Sequence, residues 1–211
     1  MSIGMILLIV LSLLILFGAL QRVLDRMALT DRQALLIVAA IFIGGWLPEI
    51  DLGLVQLNIG GAVVPLIVCV YLLLHAGSMK ERVRAIVASV ITAAAIAAIS
   101  MLLPADPVNM PMLDPMILYG IAGGVIAWLL GRSRRSAFIA GVLGVIIADL
   151  VTGMSLWMRG IQQSVYLGGA GALDAVVLAG VIGVLMCELV GEIMERMQRG
   201  GSRPIEGGNH A

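Results

Sequence analysis

Charged side chains are scarce in this chain. Asp, Glu, Lys and Arg make up 12% of its 211 residues, about half the share found in ordinary soluble domains. That shortage excludes a normally solvated surface. With 61% hydrophobic residues and a mean hydropathy of +1.09, the composition is that of an integral membrane protein whose first partner is the lipid bilayer. Basic and acidic residues balance at 13 each, so there is no cationic excess for a nucleic acid, and no nucleic-acid partner is expected. Cysteine is almost absent: Cys69 and Cys187 sit in separate apolar runs with no CxxC grouping, which excludes a disulfide framework. Histidine is limited to His75 and His210, too few for a metal centre, and no metal or other cofactor is expected. Spans of about 20 residues consume most of the chain and leave no room for a separate soluble catalytic domain.

What is present is a series of long apolar runs. Seven spans are predicted: Ile3 to Leu20, Ala34 to Trp46, Gly60 to His75, Ala85 to Leu103, Pro115 to Leu130, Ala137 to Met154 and Gly169 to Glu188. The first lacks a basic amino-terminal region and a small-residue cleavage site, so it reads as a retained span. The second is short for a hydrocarbon core of about 30 Å and is expected to begin near Arg32 or to extend into the loop after it.

The loops separate by charge. Arg22, Arg26, Arg32, Lys80, Arg82, Arg84, Arg132, Arg134, Arg135, Arg196, Arg199 and Arg203 fall on one side; Glu49, Asp51, Asp106 and Asp114 fall on the other, where Arg159 is the lone base. The positive-inside rule then puts the amino terminus outside and the carboxyl terminus in the cytoplasm. The expected fold class is an all-α membrane protein of seven transmembrane helices with two short outer β-hairpins. Residues 1–198 form a single helical domain and 199–211 a flexible cytoplasmic tail.

The hairpins are read from two similar outer loops. Trp46 to Asn58 leads into Gly60-Gly61-Ala62, and Leu156 to Tyr166 leads into Gly168-Gly169-Ala170. Each carries a central glycine, Gly53 or Gly160, among strand-forming residues, a hairpin signal. The two loops and their flanking spans, about 34–76 and 137–190, read as parallel internal repeats. Hairpin backbone is not left unpaired in lipid, so the two should pair with each other or form a small aqueous cap. Small residues, among them Gly120, Gly124, Gly141, Gly144, Gly180 and Gly183, mark faces where helices approach closely.

Two acids interrupt the apolar runs, Asp149 in the sixth and Asp174 in the seventh. Carboxylates at membrane depth are costly and mark a site or a buried partner. The sixth span runs outward and the seventh inward, so at about 1.5 Å per residue both acids lie roughly 7 to 8 Å inside the outer boundary. A neighbouring pair at one height would share a proton, since like charges a few ångströms apart are not both ionised cheaply. That suits an aspartyl hydrolase acting on a membrane-embedded peptide, with Asp149 and Asp174 catalytic, and equally a transporter coupled to protons or another small ion. Asp114, Arg159 and Asn58 are candidate accessory residues. Structural readings stand beside these. Asp114 before Pro115 is an ordinary helix start, Asp174 satisfies free amides at a helix beginning, and Arg159 neutralises one acid in a static pair. With the acids structural, the protein is a scaffold or assembly factor whose cytoplasmic tail from Arg196 recruits partners.

Asn58-Ile59-Gly60-Gly61-Ala62 with Pro65, Gly141-x-x-Gly144 leading to Ala148-Asp149, and Gly168-Gly169-Ala170-Gly171 leading to Asp174 resemble the recurring blocks of an uncharacterised prokaryotic family, the domain-of-unknown-function family sixteen-fourteen. The resemblance covers most of the chain after the first span. It implies a polytopic bundle in the cytoplasmic (inner) membrane and no assigned activity. Aspartyl intramembrane proteases also place one acid in each of two successive helices. Here the second block is Gly-Ala-Leu-Asp174, no tyrosine precedes Asp149 and no Pro-Ala-Leu motif occurs. Lipoprotein signal peptidase keeps its acids near the outer leaflet too, but its asparagine-bearing motifs are absent.

Overall fold

The computed structural model describes Met27 and residues 29–102, 115–171 and 174–200. The expected span Ile3 to Leu20, Asp114 and nearly all of the 199–211 tail lie outside them.

The described chain is mostly helical, and helix starts follow local capping chemistry. Helix α1 (Asp31–Gly44) opens in a capping box, in which Thr30 accepts from the Gln33 amide and the Gln33 side chain accepts from the Thr30 amide, so two otherwise orphaned donors are satisfied. Helix α2 (Val64–Leu74) is entered through a five-residue π-helical turn, Ile59–Val63. Asn58 sets that wide turn: its side chain accepts from the Gly61 amide at 2.9 Å, and its carbonyl accepts from Ala62 and Val63. Helix α3 (Met79–Leu102) starts where Ser78 accepts from the Glu81 amide. Helix α4 (Pro115–Gly131) places a proline at its first position, where the missing N–H costs nothing. Ser133 caps helix α5 (Arg134–Met158) by accepting from the Ser136 amide, and helix α6 (Ala175–Gly200) follows Asp174.

Three of these helices, α3, α5 and the Ala175–Met197 part of α6, are long and apolar enough to cross a membrane; Ile59–Leu74 and Met116–Gly131 are shorter apolar helices. Large apolar side chains such as Leu36, Ile67, Val90 and Met101 lie on the outside, Met101 at 79% exposure. In water such a surface would drive association, whereas acyl chains solvate it without cost. The arrangement is consistent with an integral membrane protein.

Helix α5 is the centre of the bundle and packs against α2, α3, α4 and α6. Its inward residues are small, and they set the spacing. A side chain on Gly141 would run into the backbone of Ala179, and one on Gly144 into Thr92. Ser89 on α3 donates to Ala85 and also reaches the Ile139 carbonyl on α5.

The two ends of the bundle differ in chemistry. At one end Arg82 donates to the Leu74 carbonyl, Arg135 donates to His75, and Ser133 donates to Glu81. The other end carries a three-stranded sheet. Strand β1 (Ile50–Asp51) pairs antiparallel with β2 (Val55–Leu57) around Gly53, whose φ of 87° suits the turn. Strand β3 (Val165–Leu167) pairs parallel with β2, Leu57 opposite Leu167.

The sheet departs from the two expected hairpins. The second loop supplies one strand, because Gly160 ends a helix and makes no strand turn. Helix α5 continues to Met158, Gly160 follows the cap residue Arg159 with φ of 81°, and the amides of Gly160 and Ile161 donate back to Trp157 and Leu156. This is the left-handed glycine termination of a helix. The Gly-Gly-Ala segments differ in shape as well. Gly60–Ala62 lies inside the π-helical turn, whereas Gly168–Ala170 forms a turn before α6, so the last helix begins at Ala175 and not at Gly169. Their backbones touch where any side chain on Gly61 would collide with Gly168.

Candidate carboxylate site

The site is built on the antiparallel α5–α6 seam. Near the basic end, Arg134 donates from Nε to Glu188 at 2.6 Å and forms an ion pair with it. Further along, Gly183 abuts Ala137, Gly180 abuts Val142 and Phe138, and Gly141 abuts Ala179. Continuing that register brings Asp149 level with Asp174. Asp149 lies 15 residues beyond Arg134 and Asp174 lies 14 before Glu188, rises of about 22 and 21 Å. Asp149 also falls on the helical stripe of Phe138, Val142 and Val145.

Their depths relative to helix ends differ from the expectation of about five residues each. Asp149 stands nine residues before Met158, and Asp174 immediately precedes α6. The difference has two causes: α5 runs on to Met158, and the glycine-rich turn delays α6.

The two acids have unlike surroundings. Asp174 is 9% exposed. One carboxylate oxygen accepts from the Val176 amide at 2.9 Å and the other from Ala170 at 3.3 Å. The residue therefore caps α6, which is the structural reading given for it above, and its carboxylate is fixed in orientation by the amides. Asp149 is half-buried, and among the described residues its carboxyl has no hydrogen-bond partner.

Of the accessory candidates, Arg159 is exposed at the end of α5 and makes no ion pair with either acid among the described residues. Asn58, 3% exposed, is occupied as the cap of the π-helical turn, and its amide donates to the Leu167 carbonyl. It braces the β2–β3 junction beneath which α6 begins. Asp114 lies outside the described residues. Among those residues no group of three or more metal-ligating side chains occurs.

The seam inward of the acids is closed. Val142, Val145, Val176 and Ala179 are fully buried, and the glycine contacts leave backbone against side chain. The Arg134–Glu188 pair, not anticipated from sequence, seals its far end. The available signal was a single acid late in an apolar helix, level with a basic loop.

A family model described as a protein of unknown function (DUF1614) matches residues 46–186. That span holds both acids, Asn58, the sheet and the helices from the π-helical turn through α5, and it reaches into the first part of α6. No curated protein and no solved structure matches the chain.

Proposed function

The chain belongs to the DUF1614 family of proteins of unknown function, and from its seam geometry we propose that it is an aspartyl-type intramembrane hydrolase in which Asp149 and Asp174 form the catalytic pair. The observation that carries this reading is the asymmetry of the two acids, one carboxylate oriented by the Ala170 and Val176 amides, the other without a hydrogen-bond partner among the described residues. A hydrolytic pair needs that division of labour. Asp174 takes a proton from the attacking water and Asp149 supplies the shared proton to the substrate carbonyl oxygen; on collapse of the tetrahedral intermediate Asp174 passes its proton to the leaving nitrogen, Asp149 takes one back from the diol, and the C–N bond breaks to a carboxylic acid and an amine. The substrate class is a membrane-embedded peptide, and the acids work beneath the sheet-bearing end, on the outer side by the positive-inside rule.

The composition of α6 counts against a transporter, because inward of Asp174 that helix offers only apolar residues until Glu188. The Asp174 cap favours a second reading, a scaffold whose acids are structural. The two readings part in one experiment. The full chain, reconstituted in vesicles with a quenched fluorescent transmembrane peptide, should cleave it. Asp149→Asn and Asp174→Asn should each lose cleavage while keeping wild-type helicity and melting temperature. Equal cleavage by the variants, or none by the wild type across a peptide panel, rejects the hydrolase.

A further inference from the structure

A second feature, independent of the acids, lies at the opposite end of the bundle. Between α1 and α2 an apolar groove of about 250 Å³ is lined by Leu29, Leu36 and Ile37 on one side and by Ile67, Val68 and Tyr71 on the other, with Gln33 as its polar member. Ile67, Val68 and Tyr71 belong to one helical stripe, which continues to Leu74 and His75 at the end of α2. Two guanidinium groups converge on that end. Arg82 donates from Nη2 to the Leu74 carbonyl at 3.0 Å, and Arg135 donates from Nη1 to the His75 carbonyl at 2.9 Å.

Both arginines retain an unmet need. The Nε of Arg82 and the Nε of Arg135 are buried and have no hydrogen-bond partner among the described residues, an arrangement that costs free energy through desolvation. Capping of α2 uses one nitrogen of each, and the Nη1 of Arg82 also donates to the Met79 sulfur at 3.8 Å. The neighbouring acid does not answer the need, since Glu81 accepts from Ser133 and from the Gly77 amide. Lys80, Arg84 and Arg132 are exposed around this end and add to its positive potential.

We propose that Arg82 and Arg135 bind the phosphate of an anionic phospholipid whose acyl chain lies in the α1–α2 groove. The chemistry is complementary at both ends: a planar guanidinium donor pair for a phosphate diester, and an apolar channel of helix-stripe residues for the tail. The location is the basic face, where anionic headgroups of the cytoplasmic leaflet gather. A free phosphate would satisfy the arginines but leave the groove empty.

The test uses the full chain in detergent, with lipid retention read by native mass spectrometry and stability by thermal unfolding. The probes are dioleoyl phosphatidylglycerol, dioleoyl phosphatidylcholine and inorganic phosphate. Wild-type protein should retain phosphatidylglycerol and melt higher with it, while phosphatidylcholine and phosphate have little effect. The double variant Arg82→Gln/Arg135→Gln should weaken phosphatidylglycerol retention by roughly tenfold or more, and Lys80→Gln/Arg84→Gln should not. If the double variant does not fold, Ile67→Trp, which fills the groove and keeps both arginines, should produce the same loss. Equal retention of the two lipids, an equal effect of phosphate alone, equal loss in Lys80→Gln/Arg84→Gln, or unchanged retention in the arginine or groove variants would each overturn the proposal.

Discussion

Arg134 and Glu188 are joined across the α5–α6 seam by a 2.6 Å hydrogen bond and an ion pair, from which Asp149 and Asp174 stand at nearly equal residue separations, 15 and 14. The pair is partly shielded, with side-chain exposures of 14% and 23%. Removing one partner leaves the other charge shielded and unpaired. Glu188→Gln and Arg134→Gln should therefore each destabilise the fold by about 1–3 kcal/mol. The exchanged double variant Arg134→Glu/Glu188→Arg should recover part of the loss. Reversible unfolding in mixed micelles measures both, and additive effects in the double variant would show that the two residues do not interact.

The glycine contacts predict which positions tolerate a methyl group. Gly141→Ala directs its Cβ to 2.6 Å from the Ala179 carbonyl oxygen, so the helices must separate, at a cost of about 1–3 kcal/mol. Gly77→Ala meets nothing closer than the Glu81 carboxylate at 3.9 Å and should be near neutral. Similar melting temperatures for the two variants would argue against the close seam.

Gly160 makes a narrower claim. Its φ is 81° and nothing lies within 4 Å of a Cβ built there, so Gly160→Ala pays the left-handed backbone cost alone, about 1 kcal/mol. If the second loop were a hairpin turning at Gly160, the Met158 and Arg159 amides would exchange in strand-like alternation and not as a helix terminus. Hydrogen exchange across residues 154–162 distinguishes the two.

At Asp174 the cap and the chemistry separate cleanly. Asparagine retains a side-chain oxygen for the Val176 amide, whereas alanine offers none, so Asp174→Ala should lose about 1 kcal/mol relative to Asp174→Asn. Both should be inactive. Thermal melts beside the cleavage assay read the difference, and an active Asp174→Asn would reduce this residue to a cap.

Much of this was legible in the sequence because apolar runs and their punctuation are local. The second apolar run was expected to reach back toward Arg32, and α1 starts at Asp31. The family resemblance rested on the glycine and aspartate blocks, and the family match covers all of them. The two acids were found by their cost in an apolar setting. Misreadings arose where one local pattern has two meanings. A glycine among apolar and β-branched residues serves a hairpin turn at Gly53 and a helix stop at Gly160, and only the length of the preceding helix tells them apart. Likewise Gly-Gly-Ala lies in the first helical turn at residue 60 but forms a non-helical turn at residue 168. What sequence does not encode locally is partnership: Arg134 with Glu188, Leu57 with Leu167, and the amides of Ala170 and Val176 with Asp174 are set by packing.

The central claim is that Asp149 and Asp174 act together on a scissile peptide bond. Its most direct measurement is photoaffinity labelling of the reconstituted chain by a peptide carrying a hydroxyl group in place of the scissile carbonyl, a mimic of the tetrahedral intermediate. The wild type should be labelled and protected by excess unlabelled mimic, and Asp149→Asn and Asp174→Asn should each lose labelling while folded. Equal labelling of all three proteins, or loss in one variant alone, would contradict a shared site.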